Sequence, residues 1–306
     1  MSAIQPPQPP PELIRYVGHR NPARLVEDFE LFGRRYRATI LDMLPPGWSF
    51  EGKRVLDFGC GSGRVLRHFL EEANVAELHG CDIDAASIAW LQQSLSPPMR
   101  FFRNEEEPGL PFPDDHFDLI WATSVFSVLT DAWSGWLREL HRVLSEDGVL
   151  IVTFVGEGGS EFVAHEPWVE DRVGMNVLAY GVSWDVGGPM VMHSPWWIRE
   201  HWGRAFDILE LRPLTEWGEG LVAMRRRDVS PTVEDLERID PRDEREVLAL
   251  RHNLRQVQRE GVTVREAHDA ELRALQQSWS WRLTRPLRGA ARLLEQAQQR
   301  VADPRR

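Results

Sequence analysis

Cysteine and long apolar runs are both scarce in this chain of 306 residues. Cys60 and Cys81 are its two cysteines, and neither stands in a CxxC pair or in a cluster with metal-ligand spacing. We therefore expect reduced thiols and no metal site. No stretch approaches the roughly 18 apolar residues that a spanning helix needs, and the N-terminus lacks the regions of a signal peptide, which predicts a soluble, cytoplasmic protein.

Basic residues are also outnumbered by acidic ones, and the formal net charge of the chain is -11. A surface that binds duplex nucleic acid would have to be a local basic patch inside a generally repulsive field. We therefore expect no nucleic acid among the partners of this protein.

The composition changes twice along the chain and predicts three parts. Residues 1–22 are expected to form a flexible arm, because the prolines at positions 6, 7, 9, 10 and 11 oppose regular hydrogen bonding. Residues 23–226 carry the patterns of a folded domain, with an irregular insertion at about 156–194. Residues 227–306 are dominated by Glu, Asp, Arg and Gln and are expected to form a helical tail.

Hydrophobic periodicity predicts a regular alternation of elements inside the domain. The predicted helices are Ala23–Leu44, Arg64–Glu72, Ala85–Leu95, Ala132–Leu144 and Pro195–Arg204. The predicted strands are Arg54–Phe58, Glu77–Cys81, Arg100–Arg103, Phe117–Ala122, Gly148–Phe154, Asp207–Leu214 and Leu221–Arg225. The apolar run at 149–152 is typical of a strand that is covered on both faces. The alternation therefore predicts a doubly wound α/β sheet.

A glycine-rich turn joins the first predicted strand to the helix after it. Gly59, Gly61 and Gly63 follow Asp57 at GxGxG spacing, and glycines let a ligand lie directly against the backbone. Arg64 stands where a dinucleotide fingerprint needs its last glycine or alanine, which disfavours NAD and flavin. The turn also lacks the Gly-Lys-Ser/Thr ending of a nucleoside triphosphate loop.

An acidic residue follows the second predicted strand. Asp82 adjoins the strand end, where a carboxylate can accept hydrogen bonds from both ribose hydroxyls of a nucleoside. Asp84 competes for this role, although it suits the N-cap of the following helix better.

Four segments occur in a fixed order along the chain. They are Val55–Arg64, Gly80–Asp84, Leu110–Ile120, and Leu137–Leu144 with Asp147-Gly148 after it. This series resembles the class I S-adenosylmethionine-dependent methyltransferases over about residues 23–226. The resemblance implies a seven-stranded, mainly parallel sheet of order 3-2-1-4-5-7-6 with an antiparallel last strand. It also implies S-adenosylmethionine as cofactor and S-adenosylhomocysteine as product.

The same resemblance assigns residues to the cofactor. They are Asp57, Gly59, Gly61, Gly63, Asp82, Ile83, Asn104 and Trp121. Asp57 and the glycines would line the methionine part, and Asp82 would bind the ribose. Ile83 would face the adenine ring, and Asn104 or its neighbour Glu105 would approach the adenine amine. The stretch from Trp121 to Ser124 would face the sulfonium and the acceptor.

The general base is harder to locate in the sequence. Many relatives carry a histidine after strand four, but Val128 occupies that place here. The remaining candidates lie in the insertion and are His165, Glu166, Asp185 and His193. We favour His193 as the catalytic residue because it precedes the helix that borders the site and because histidine transfers protons near neutral pH. A purely structural hydrogen bond at that helix start is the alternative.

The tail carries two further patterns. Val247, Leu250, Leu254 and Val257 follow alternating steps of three and four residues, which predicts a coiled coil and a homo-oligomer. Packing of this helix on its own domain is the alternative. Residues 278–292 alternate Trp and Leu with Arg and resemble tails of bacterial enzymes of surface-polysaccharide assembly. Such a segment suits peripheral contact with the inner face of the membrane, or with a glycosyltransferase.

Together these features predict a methyltransferase that acts on a hydroxyl of a sugar or glycan in bacterial polysaccharide biosynthesis. An O- or N-methyltransferase of a natural product or another small metabolite is the alternative among enzymes. A non-catalytic coiled-coil scaffold that retains a methyltransferase fold is the alternative from another class of protein.

Overall fold

Strands and helices alternate after an N-terminal helix in the computed structural model of the chain. The structure describes residues 6–14, 22–159, 168–169, 173–183, 188–216 and 218–259. Two compact units divide the chain, Met1–Leu254 and Arg255–Arg306, and all the strands named below belong to the first.

The elements of the described part agree closely with the predicted alternation. Its strands are β1 (Arg54–Phe58), β2 (Glu77–Asp82), β3 (Arg100–Arg103), β4 (Phe117–Ala122), β5 (Leu144–Val155), β6 (Met175–Leu178), β7 (Met190–His193), β8 (Phe206–Arg212) and β9 (Glu219–Arg226). Its helices are α1 (Leu25–Asp42), α2 (Ala85–Ser94), α3 (Trp133–Val143), the single turn α4 (Glu157–Gly159), α5 (Pro195–His201), α6 (Val233–Glu237) and α7, which is described over residues 244–259.

The main sheet has the strand order β3-β2-β1-β4-β5-β9-β8. Strands β1 to β5 run parallel, whereas β9 runs antiparallel to both of its neighbours. Since β8 and β9 are the predicted sixth and seventh strands, this arrangement confirms the order 3-2-1-4-5-7-6. The doubly wound α/β fold is confirmed with it.

Apolar layers cover both faces of the sheet. Leu56 and Leu150 belong to a buried cluster on one face together with Trp136 of α3, whereas Val55 and Ile151 belong to a second cluster. Strands buried on both faces need nearly continuous apolar runs, which is why the run in β5 could be recognised.

The helix predicted over Arg64–Glu72 is wrong. The structure has short 3-10 turns at Leu66–Phe69 and Glu72–Asn74 instead. The amide of Arg67 donates to the carbonyl of Gly63, but the amide of His68 donates to that of Val65. The first of these bonds spans four residues and the second spans three, as in a 3-10 turn, so no continuous α-helix forms.

Part of the predicted insertion folds into the hairpin β6–β7. Met192 pairs with Val155 of β5 in parallel, whereas β9 occupies the other edge of Val155. The hairpin therefore lies on the edge that β4 leaves free, since the pairing of β4 with β5 ends at Val152. The amide of Val191 also donates to the carbonyl of Ser127 at 2.7 Å. The hairpin thus extends the sheet beyond the carboxyl end of β4.

Two further segments pack on the domain differently from the expectation. Residues 6–14 of the predicted flexible arm are docked, and the side chain of Ile14 is fully buried. Polar side chains hold the start of α7, because Oε1 of Glu246 lies 2.9 Å from Nε2 of His201 and Asn253 accepts from the amide of Val177 at 3.0 Å. The first unit consequently extends past the predicted boundary at 226/227.

The predicted heptad positions lie on another face of α7. Leu250 and Leu254 are 47% and 59% exposed, so they do not pack on the domain. The coiled coil stays a prediction, and the Trp/Arg-rich segment 278–292 lies outside the described residues. Within the described part of the chain, every helix is too short or too polar to cross a membrane.

Gly33 allows α1 to pack on the glycine-rich turn. A Cβ at Gly33 would stand 2.1 Å from the carbonyl oxygen of Arg64. Alanine favours a helix over glycine by about 1 kcal/mol, yet we expect Gly33→Ala to lower the free energy of unfolding by about 2 kcal/mol, because the backbone must shift. Urea denaturation measures this change. Gly203→Ala is the control, since its Cβ would meet nothing within 4 Å. A fully stable Gly33→Ala protein would contradict the close approach.

Candidate active site

A cavity of about 900 Å³ opens at the carboxyl ends of β1, β2 and β4. In open α/β sheets, ligands bind in the crevice outside these strand ends. The predicted cofactor residues that line the cavity are Gly59, Gly61, Asp82, Ile83 and Asn104. The fold therefore brings together residues from three separate segments of the sequence.

The glycine-rich turn, residues 59–63, forms the floor of this cavity. The amides of Gly59 and Cys60 both donate to the carbonyl of Cys81 at 2.9 Å, which fixes the turn to the end of β2. Gly59 has a φ of 75°, and a Cβ there would stand 2.3 Å from Cγ2 of Val125. A Cβ at Gly61 would meet no atom within 4 Å. The backbone at Gly61 is thus open to a ligand.

Asp82 is tied to the same turn by its carboxylate. One oxygen accepts from the amide of Gly61 at 2.7 Å, and the other accepts from the amide of Asp84 at 2.9 Å. Burial raises the pKa of Asp82, while these two amide bonds act in the opposite direction. A carboxylate has about four acceptor sites, so Asp82 can accept further bonds from a ligand. Asp84 caps α2 through the amide of Ala86, as expected.

The hydrogen bonding of Asn104 bears on whether the cavity suits S-adenosylmethionine. Its side chain is 6% exposed and donates to the carbonyl of Glu105, but its Oδ1 has no hydrogen-bond partner. A buried acceptor without a donor is costly, and an adenine amine is a donor. Ile83 lines the cavity beside it with an apolar side chain. The residues present therefore fit an adenosine group.

Three predicted cofactor residues do not line the cavity. Asp57 and Trp121 are fully buried inside the sheet as partners in adjacent strands, and Gly63 lies at the far end of the turn. Successive side chains of a strand point to opposite faces of the sheet. Asp57 and Trp121 stand one residue before the ends of β1 and β4, where their side chains are buried and do not reach the cavity. The predicted direct contact of these three residues with the cofactor is therefore not supported.

Asp57 has an unusual environment for a carboxylate. Neither of its oxygens has a hydrogen-bond partner, and its side chain is fully buried. Burial raises the pKa of Asp57 to about 7. The Trp121 side chain opposes this shift, although its indole does not reach hydrogen-bond geometry with the carboxylate. Asp57 is therefore protonated much more readily than an ordinary aspartate.

A polar network lies where β4 ends. Ser124 has a φ of 60°, which is rare for a residue with a side chain, and its amide donates to Oγ1 of Thr153 at 2.7 Å. Its hydroxyl donates to Glu219 at 3.2 Å and accepts from Arg64 at 3.3 Å. Tyr36 donates to the other oxygen of Glu219. Ser124 and Arg64 line the cavity, so this network reaches the cavity wall.

Sequence reasoning missed Glu219 and Tyr36. Tyr36 belongs to the first helix and Glu219 to the last strand, 183 residues apart, and no motif connects them. Pairing of β9 with β5 brings Glu219 beside Val155, near the end of β4. Burial, and then the charge of Glu219, raises the pKa of Tyr36, so its hydroxyl remains a donor.

The structure speaks against His193 as the general base. His193 is fully buried, lies outside the cavity lining, and packs its ring 5.3 Å from the rings of Trp197 and Trp202. Burial, and then the charge of His201, lowers the pKa of His193 to about 3. His193 is buried because it ends the apolar strand β7, the same segment that led us to favour His193 in the sequence. The candidates His165, Glu166 and Asp185 lie outside the described residues.

Comparisons with known proteins agree with this geometry. Residues 55–148 match the family described as a methyltransferase domain. Malonyl-[acyl-carrier protein] O-methyltransferase of Halorhodospira halophila is 31% identical over 172 residues, which cover 55% of this chain and 57% of that protein. Arginine-hydroxylase NDUFAF5 of Danio rerio is 35% identical over 101 residues, or 33% of this chain and 30% of that one. The chain thus spans little more than half of one relative and under a third of the other.

One solved structure matches part of the chain at low identity. An S-adenosylmethionine-dependent methyltransferase of Mesorhizobium loti is 17% identical with a TM-score of 0.46, over 62% of this chain and 96% of that chain. The segment that matches the family, residues 55–148, contains the glycine-rich turn, Asp82, Asn104 and Ser124. This segment is similar to a methyltransferase domain, and S-adenosylmethionine is the cofactor that the similarity implies.

The raised pKa of Asp57 predicts a pH-dependent stability. The folded protein holds this proton up to about pH 7, whereas the unfolded chain releases it near its ordinary value of 3.8. Asp57 therefore destabilises the fold progressively as pH rises from about 4 to 7. Asp57→Asn should raise the free energy of unfolding at pH 8 by up to about 4 kcal/mol, and far less at pH 4. Denaturation at both pH values checks this against the exposed control Asp147→Asn. An equal effect at both values would contradict it.

Proposed function

We propose that this chain is an S-adenosylmethionine-dependent methyltransferase that methylates a hydroxyl of a glycan. The observation that carries the cofactor half is the convergence of Gly61, Asp82 and Asn104 on one cavity, with free acceptor capacity on both side chains. S-adenosylmethionine, when bound, supplies a methyl group that a nucleophile can accept. Asp82 would hold the ribose, Asn104 would hold the adenine amine, and the turn at Gly59 and Gly61 would lie against the remainder.

The acceptor half of the proposal rests on the charge of the cavity. Its lining beyond the turn combines the acidic Asp131 with uncharged residues, namely Val125, Val128, Leu129, Val182 and Ser183. Among the described lining residues, Arg64 is the one cation, and it is already engaged by Ser124 and by the ring of Tyr36. A buried anion needs a paired cation. A neutral hydroxyl of a sugar therefore suits this end better than a carboxylate, with any phosphate of the glycan left outside.

The Ser124–Glu219 pair offers a path for the acceptor proton. A hydroxyl is a poor nucleophile, so its methylation benefits from a general base. The acceptor would give its proton to Oγ of Ser124 while Ser124 passes its own proton to Glu219. The carboxylate of Glu219 then carries one added proton, which balances the step. This pair replaces His193 in the proposed mechanism.

A small metabolite is the second candidate acceptor. The relative named as a malonyl-[acyl-carrier protein] O-methyltransferase acts, by its name, on an acyl group. That similarity covers only part of both chains, and a malonyl carboxylate would find no free cation among the described lining residues. We therefore place the glycan first and the metabolite second.

The tail is part of the proposal as a contact surface. Leu250 and Leu254 are exposed on α7 at heptad spacing, which favours association with another copy of the chain. Contact of the Trp/Arg-rich segment 278–292 with a membrane or a glycosyltransferase remains a proposal based on the sequence alone.

Asp82 provides the first test of the proposed cofactor. We expect Asp82→Asn to weaken S-adenosylhomocysteine binding by about tenfold or more, because a charge-assisted bond to a ribose hydroxyl is stronger than a neutral one. Isothermal titration calorimetry measures the change. Glu77→Gln, at the opposite end of β2, is the control and should bind like the wild type. Equal binding by Asp82→Asn would refute the ribose assignment, and no binding by wild type would refute the proposed function.

Glu219 provides the test of the proposed chemistry. We expect Glu219→Gln to slow methyl transfer by about 100-fold or more with little effect on S-adenosylhomocysteine affinity, because a general base typically contributes that much. Glu210→Gln on β8 is the matched control. Tyr36→Phe, which removes a donor to Glu219 but leaves the carboxylate, should cost less. A Glu219→Gln enzyme with the wild-type rate would eliminate the proton path.

The acceptor for this assay comes from a panel with labelled S-adenosylmethionine. The panel contains neutral oligosaccharides, nucleotide sugars, lipid-linked glycans and acyl thioesters. Label transferred to a sugar would support the glycan proposal. Label found only in an acyl thioester would favour the metabolite candidate instead.

A further inference from the structure

The N-terminal segment 6–14 lies directly against the glycine-rich turn. The hydroxyl of Ser62, inside that turn, donates to the carbonyl of Leu13 at 2.9 Å. Leu13 also lines the cavity, as does Phe29 of α1. The segment therefore contributes an apolar side chain to the cavity and a bond to the loop that forms its floor.

Two anchors hold this segment at its ends. Ile14 at one end is fully buried. At the other end the guanidinium of Arg67 donates to the carbonyl of Pro6 at 2.7 Å and to Oε1 of Gln8 at 3.3 Å. Arg67 is itself 1% exposed and pairs with Glu30 at 2.9 Å. A buried cation with these partners is a specific docking point.

Gln8 makes a further contact at the anchor around Arg67. Nε2 of Gln8 donates to Glu30 at 2.7 Å, so Gln8 bonds to both members of the buried ion pair. Gln8 itself is exposed. Its side chain can therefore be removed without opening the core, although the docked segment would lose two bonds.

The composition of the segment favours this docking. Prolines fix φ and leave fewer conformations to lose on ordering, so a proline-rich segment docks at a lower entropic cost. Prolines donate no backbone hydrogen bond, and the segment accordingly uses its carbonyls, with Pro6 accepting from Arg67 and Pro10 accepting from the amide of Leu13 at 2.9 Å. The prolines that predicted a flexible arm are therefore also compatible with a segment whose conformation is restricted before it docks.

We propose that residues 6–14 form a cofactor strap, a segment that completes the cofactor site and has to release before the ligand exchanges. The inference rests on the proposed function. Leu13 supplies a wall of the cavity beside Gly61 and Ser62, and the two anchors set how readily that wall opens. Weakening either anchor should therefore speed the release of a nucleoside ligand and lower its affinity.

Ile14→Ser and Gln8→Ala, each in the full chain, test the strap at its two anchors. We expect Ile14→Ser to weaken S-adenosylhomocysteine binding about tenfold through faster dissociation, because a buried isoleucine contributes about 1.5–3 kcal/mol. Gln8→Ala should weaken it about threefold. Val26→Ser, which also replaces a β-branched apolar side chain by serine but at a 42% exposed position of α1, is the control. Calorimetry gives the affinity, and stopped-flow tryptophan fluorescence gives the dissociation rate.

Hydrogen exchange adds a readout that does not depend on a variant. Saturating S-adenosylhomocysteine should slow exchange at the amides of Leu13 and Ile14 in the wild type. If wild type binds the ligand but both variants release it at the wild-type rate, the strap is refuted and the proposed function stands. If wild type does not bind the ligand, the proposed function falls and the strap falls with it. Since Gln8 is exposed, its variant keeps the test valid even if Ile14→Ser does not fold.

Discussion

The bond between the amide of Gly61 and the carboxylate of Asp82 joins the loop after β1 to the end of β2. Two more amides of the same loop, those of Gly59 and Cys60, converge on the carbonyl of Cys81. The loop is therefore held to the end of β2, and the backbone at Gly61 remains open to a ligand. The cavity depends on this restraint, because α1, Val125 and the segment 6–14 all pack against a loop whose position is already fixed.

Strand bounds and sheet order could be predicted because burial on both faces leaves a strong signal. The bounds of β1, β3 and β4 match the predictions residue for residue. Three parallel neighbours place their carboxyl ends together, which brings Asp82 and Asn104, both assigned to the cofactor through the family resemblance, to one cavity. The helix after the loop was predicted wrongly, because its hydrogen bonds depend on the turn that precedes it.

The reaction end of the site could not be predicted, because pairing between distant strands creates it. Glu219 reaches Ser124 through the register of β9 on β5, and register is not visible in a single sequence. His193 shows the converse problem, since a chemically suitable residue lies in a strand whose apolar neighbours bury it. Residue type thus identified candidates, but only the distance from the cavity could separate a base from a core histidine.

The walls of the cavity come from segments added to the sheet rather than from the sheet itself. Segment 6–14 closes the side of the glycine-rich turn, and the hairpin β6–β7, with Val182 and Ser183 near its tip, closes the side of the acceptor. The hairpin is tied in turn to α7 through Asn253. Because the strand ends carry Asp82 and Asn104, the residues proposed to hold the cofactor, and the added segments form the walls, a change in those segments can alter the walls while Asp82 and Asn104 stay in place.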